Sequence, residues 1–107
     1  MATFDGDFYD YNGALFCHGQ IKDMGTAVCS YTIMTIDGQY KYKAFIKDKE
    51  NFPGIFNVNT YNHAIDNAPQ FLNSGTHTVY LQFYTSSGNC IDEGYLYDGS
   101  SRLDYRM

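Results

Sequence analysis

The sequence predicts an all-β domain: an antiparallel β-sandwich or partly open barrel of about seven or eight strands, with one domain spanning 1–107. Three observations predict it. The aromatic residues, 18 % of the chain, are 11 Tyr and 8 Phe with no Trp, and such side chains pack well on a pleated surface. The runs 26–36, 39–47 and 76–84 alternate with period two, the mark of a half-buried strand. Asn12-Gly13, Asp37-Gly38, Gly88-Asn89 and Asp98-Gly99 are dipeptides suited to tight hairpins, where the backbone needs positive φ. No stretch carries a convincing 3.6-residue period.

The elements follow in order. Asn12-Gly13 joins strands 7–11 and 14–21, so Phe8 faces Cys17 and Tyr9 faces Phe16. A turn at Asp23-Met24-Gly25 leads into strand 26–36, with Ile21 opposite Gly25 and Cys17 opposite Cys29. Asp37-Gly38 as a two-residue loop pairs Thr35 with Tyr40, Ile33 with Tyr42, Tyr31 with Ala44 and Cys29 with Ile46 on strand 39–47. The expectation is a four-stranded N-terminal meander. Its core face carries Phe8, Leu15, Cys17, Ile21, Cys29, Tyr31, Ile33, Tyr42, Ala44 and Ile46. Its other face carries Tyr9, Tyr11, Phe16 and His18 at one side and grades into Lys41, Lys43 and Lys47 at the other.

The second half is less regular. Residues 55–61 read as a strand and 62–75 as a loop with room for one helical turn. Strand 76–84 pairs with 90–97 around Ser86-Ser87-Gly88-Asn89. Val79, Leu81 and Phe83 then face inward, while Tyr80 and Tyr84 face outward beside Tyr95 and Tyr97. A short strand near 102–106 closes the chain.

Asp37-Gly38-Gln39-Tyr40 and the stretch 75–89, GTHTVYLQFYTSSGN, resemble the late strands of bacterial immunoglobulin-like repeats, which often read as a DG-x-Y strand, a G-x-H-x-V-x-V strand and a G-N turn. The resemblance implies a β-sandwich used for adhesion or display, without catalysis. The N-terminal strands fall outside that pattern.

A net charge of −5 argues against nucleic-acid binding through phosphates, which needs clustered Lys and Arg. No apolar run approaches the ~20 residues of a membrane helix. The start of the chain has no basic segment followed by an apolar one, so a cytoplasmic protein is expected, or a secreted one whose leader has been removed. With three Cys, at least one thiol lacks an internal partner.

Catalytic and cofactor motifs are missing from the sequence. Cys17 and His18 are neighbours on a strand and point to opposite faces, which disfavours a shared metal ion or a nucleophile pair. Cys17 and Cys29 are either small core residues or, in an oxidising compartment, a cross-strand disulfide. Asp5, Asp7 and Asp10 lack the spacing of a calcium loop. Asp92-Glu93, the one adjacent acid pair, diverges on a strand rather than flanking a cleft. No catalytic residue, metal or cofactor is therefore expected.

What remains is aromatic surface. Tyr9, Tyr11, Phe16 and His18 form a nearly uncharged stripe on a face that is normally polar; Tyr80, Tyr84, Tyr95 and Tyr97 form a second group. Tyr offers contact area and a polar tip at low entropic cost. The reading is a non-catalytic protein-binding module, an inhibitor or adaptor acting through this face or an edge strand. A carbohydrate-binding module is the alternative and a small enzyme the remote one. The structural alternative is that loop 62–75 or a second copy of the chain, as a homodimer, covers the stripe.

Overall fold

The structure is a computed structural model, and it describes residues 1–98, 101, 102 and 104–106, with side chains as far as Leu96. It is an all-β sandwich of two antiparallel sheets, with no helix among the described residues. The strands are β1 (Thr3–Tyr11), β2 (Ala14–Lys22), β3 (Tyr31–Ile36), β4 (Tyr40–Phe45), β5 (Ile55–Asn59), β6 (His63–Ile65), β7 (Thr76–Tyr84), β8 (Cys90–Tyr95), β9 (Tyr97–Asp98), β10 (Ser101–Arg102) and β11 (Asp104–Arg106). One sheet has the order β1-β2-β5. The larger has the order β11-β7-β3-β4-β6, with β8 pairing the second half of β7. A separate two-stranded ribbon joins β9 and β10.

The first hairpin is as its turn dictates. Asn12 and Gly13 both take positive φ, and Phe8 faces Cys17 while Tyr9 faces Phe16. The meander then fails. β2 pairs with β5 rather than β3, so Cys17 lies opposite Val58 and not Cys29. Asp23 and Gly25 adopt positive φ, but the chain crosses there to the other sheet instead of folding back. β3 begins only at Tyr31, where Ser30 N–H donates to the Tyr84 carbonyl at 2.7 Å. Cys17, Cys29 and Cys90 are free thiols, the first two buried as small core residues.

The β3–β4 register is also one residue away from the expected one. Asp37 and Gly38 form the positive-φ turn, and Gln39 N–H donates to the Ile36 carbonyl at 3.1 Å. Gln39 is then an extra residue in the ladder, so Ile36 pairs with Tyr40, Met34 with Tyr42 and Thr32 with Ala44. A one-residue slip exchanges faces. Thr32, Met34 and Ile36 are buried, and Tyr31 and Ile33, expected in the core, stand on the outer face.

The core otherwise holds the expected Leu15, Cys17, Ile21, Cys29, Tyr42, Ala44, Ile46, Val79, Leu81 and Phe83, joined by Phe56, Val58 and Leu72. The lysines of β4 lie on the larger sheet, so they do not continue the stripe of Tyr9 and Phe16. Residues 62–75 contain the short strand β6 and no helical turn. The rest of that segment is pinned as irregular backbone. The Tyr42 hydroxyl donates to the Pro69 carbonyl, Thr60 Oγ1 donates to the Gln70 carbonyl at 2.6 Å, and Leu72 N–H donates to the Gly13 carbonyl at 2.8 Å. The last of these docks the segment against the first hairpin, and the other two tie it to β4 and to the end of β5.

Candidate functional site

The outer face of the three-stranded sheet can be read row by row from its register. Tyr9 and Phe16 form one row with Asn59, Asp7 and His18 the next with Asn57, and Asp5 and Gln20 the third with Ile55. Tyr9 and Phe16 stack at 5.0 Å with their planes 4° apart. Phe16 meets Tyr61 at 5.7 Å, and Tyr61 meets Phe71 edge-on at 5.8 Å. His18 tilts against Tyr9 at 6.0 Å. Four rings thus cross the sheet in a continuous row, and Tyr9, Tyr61 and Phe71 are exposed, as is Tyr11 beyond the row.

Tyr61 and Phe71 were not legible as part of this surface. Both lie in or beside the irregular segment after β5, and the bonds from Thr60 and Leu72 bring them there. That segment extends the aromatic stripe at its margin and leaves Tyr9 and Tyr11 uncovered.

Below the row the same face opens into a groove of about 650 Å³, lined by Asp5, Asp7, His18, Gln20, Lys22 and Asn57. Asp5 and Lys22 make an exposed ion pair at 3.7 Å, a contact of little energetic weight. Asp7, His18, Gln20 and Asn57 have side-chain donors and acceptors without partners among the described residues. Cys17 lies on the opposite side of this sheet from His18. Burial, and secondarily the charge of Asp7, push its thiol up to about 12, so it is no nucleophile at neutral pH. Among the described residues no three His, Cys, Asp or Glu side chains gather as a metal site.

The second aromatic group lies on the outer face of the larger sheet. Tyr80 and Tyr95 meet edge-on at 4.9 Å. The Tyr80 hydroxyl donates to Glu93 at 2.7 Å, which raises its pKa to about 12. Tyr84 stacks on Tyr31 at 5.1 Å, and the Lys43 ammonium lies 4.2 Å from the Tyr31 ring centroid. The side chain of Tyr97 lies outside the described residues. Tyr84 therefore joins Tyr31 rather than the Tyr80–Tyr95 pair, a grouping hidden by the register slip.

No protein-family model matches this chain, and no curated protein or solved structure matches it.

Proposed function

We propose that the chain is a non-catalytic protein-binding module, an inhibitor or adaptor in type, that recognises its partner through the outer face of the three-stranded sheet. The row Tyr9–Phe16–Tyr61–Phe71 carries the reading. Contiguous exposed aromatics flanked by uncommitted polar groups have the anatomy of an interface core and its rim. The acids of the groove favour a partner that presents basic or neutral groups there. The resemblance to bacterial immunoglobulin-like repeats, which implies adhesion without catalysis, points the same way.

The test is capture of partners by the wild-type chain and by Tyr9→Ala and Tyr61→Ala variants, followed by titration of the purified partner. Truncating a central aromatic is expected to cost about 2 kcal/mol, roughly thirtyfold in Kd. Equal affinity for wild type and both variants rejects the face.

A second reading is carbohydrate binding. Its specific support is the groove, where planar polar side chains with unused hydrogen-bonding capacity adjoin an aromatic row. A glycan array decides between the two: sugar binding lost in Tyr9→Ala or Tyr11→Ala would make a saccharide the ligand.

A further inference from the structure

β5 is the terminal strand of its sheet, and its main chain is only partly satisfied. Ile21 N–H donates to the Gly54 carbonyl at 2.9 Å, and Thr60 N–H donates to the Leu15 carbonyl at 3.0 Å. These bonds turn the main chain of Phe56 and Val58 toward β2, and that of Ile55, Asn57 and Asn59 outward. Part of the outward edge is closed locally. Ile55 N–H donates to Phe52 at 3.3 Å. Asn59 N–H donates to Asn62 Oδ1 at 2.6 Å, and its carbonyl accepts from Asn62 N–H at 3.0 Å. The Ile55 carbonyl and both main-chain groups of Asn57 have no partner among the described residues. Natural sheets blunt such edges with charge or proline, and Ile55–Asn59 contains neither.

An apolar pocket of about 200 Å³ adjoins this edge, lined by Phe45, Phe52, Ile55 and Phe56 with Lys47 and Asp48. Phe45, Phe52 and Ile55 are 65 %, 63 % and 45 % exposed. An apolar cavity of about 150 Å³ holds benzene, so this volume suits one large apolar side chain. Lys47 makes no ion pair among the described residues. Asp48 is engaged instead by Asn51, whose N–H and side-chain amide donate to it at 3.0 and 3.1 Å. The rim thus carries one charge of each sign, and the Lys47 ammonium is the one that no side chain among the described residues engages.

We propose that the Asn57 edge and this pocket form a strand-addition site for an extended segment of another protein, one that carries a large apolar anchor beside an acidic residue. Main-chain bonds to Asn57 supply affinity, the anchor in the pocket supplies specificity, and the acid meets Lys47. The site meets the groove at Ile55, Phe56 and Asn57, yet it does not depend on the aromatic row.

The probe is a phage-displayed library of random linear peptides selected against the intact chain. Enriched peptides are synthesised, titrated and mapped by amide hydrogen exchange. The expected binders share a large apolar residue next to an acid, and they slow exchange at the Asn57 amide. N-methylating the peptide amide that bonds the Asn57 carbonyl weakens binding about tenfold, a perturbation that leaves the protein untouched. Phe52→Asp and Ile55→Asp, at exposed positions, weaken it further, and Tyr9→Ala does not. No enrichment, or unchanged exchange at Asn57 in the bound state, overturns the site. Binding lost in Tyr9→Ala but kept in Phe52→Asp also overturns it while upholding the sheet-face reading; the reverse pattern upholds the edge and leaves the face to its own test.

Discussion

Gly19 holds the first hairpin in its shape, and Gly19→Ala tests that directly. It pairs with Gly6 across β1 and β2. A Cβ at Gly19 would lie 2.0 Å from the Asp5 carbonyl oxygen and 2.7 Å from the Gly6 Cα. Ordinary contact begins at 3.4 Å, so β1 would have to retreat by about 1.4 Å, the difference between 3.4 and 2.0 Å. Both obstacles are backbone, so no side-chain rotation relieves them. Overpacking in a close-packed interior costs about 1–3 kcal/mol when side chains can adjust, and here the upper end applies. At roughly 4 °C or more per kcal/mol for a domain of this size, Tm is expected to fall by about 12 °C. Gly94→Ala is the matched control: its Cβ meets only the Phe4 ring, at 3.5 and 3.6 Å, an ordinary contact. Thermal melts by circular dichroism of the three proteins provide the assay. A Gly19→Ala melt within 2 °C or so of wild type would refute the close approach of β1 to β2, and with it the register that sets Tyr9 on Phe16.

Further outcomes follow from single groups. Thr32 Oγ1 is buried without a partner among the described residues, so Thr32→Val is expected to raise stability by about 1 kcal/mol in urea unfolding. His77 Nδ1 lies 2.6 Å from Asp37 Oδ2 and Nε2 lies 2.7 Å from the Asn73 carbonyl. Burial opposes its charge, but these bonds and the Asp37 charge outweigh burial and raise its pKa above 6.5. That contribution is present in full below pH 6.5 and is lost as pH rises through the folded value; Tm should fall over that interval, and His77→Gln should flatten the fall. A thiol-reactive dye at neutral pH should label exposed Cys90 in the native protein, slowed by a pKa that partial burial and the Glu93 carboxylate raise, and should reach Cys17 and Cys29, held near 12 and 11 chiefly by burial, only after unfolding.

The fold class was legible because turn chemistry and period-two patterning are local. Asn12-Gly13 set the register of the first hairpin, and the alternation of 76–84 placed Val79, Leu81 and Phe83 inside. Sheet membership is not local. Nothing in Asp23-Met24-Gly25 distinguishes a tight return from a crossing between sheets, and the competing partner, Val58, lies far along the chain. Near Asp37 the turn falls on the expected residues, but one extra ladder residue, Gln39, reverses the faces of β3. Both strand faces carry apolar residues there, Tyr31 and Ile33 against Met34 and Ile36, so hydrophobic alternation could not choose. For the candidate site, Tyr9, Tyr11, Phe16 and His18 share the face expected from the hairpin alone. Tyr61 and Phe71 reach it through bonds from an irregular segment, which leaves no periodic signal.

The two aromatic faces differ in what their side chains have left to offer. On the larger sheet Tyr80 is committed to Glu93, and Tyr31 lies between Tyr84 and the Lys43 ammonium. A ligand there would have to displace contacts already made, so their energy belongs to the folded state. On the three-stranded sheet the rings contact one another, while Asp7, His18, Gln20 and Asn57 keep their hydrogen-bonding groups turned to solvent. A partner on that face gains bonds without breaking intramolecular ones, which is the condition under which exposed aromatic area converts into affinity. The β5 edge lies on the margin of that same sheet. The unspent polar groups, the exposed ring row and the open main chain of Asn57 thus all belong to the three-stranded sheet, and the larger sheet packs behind it.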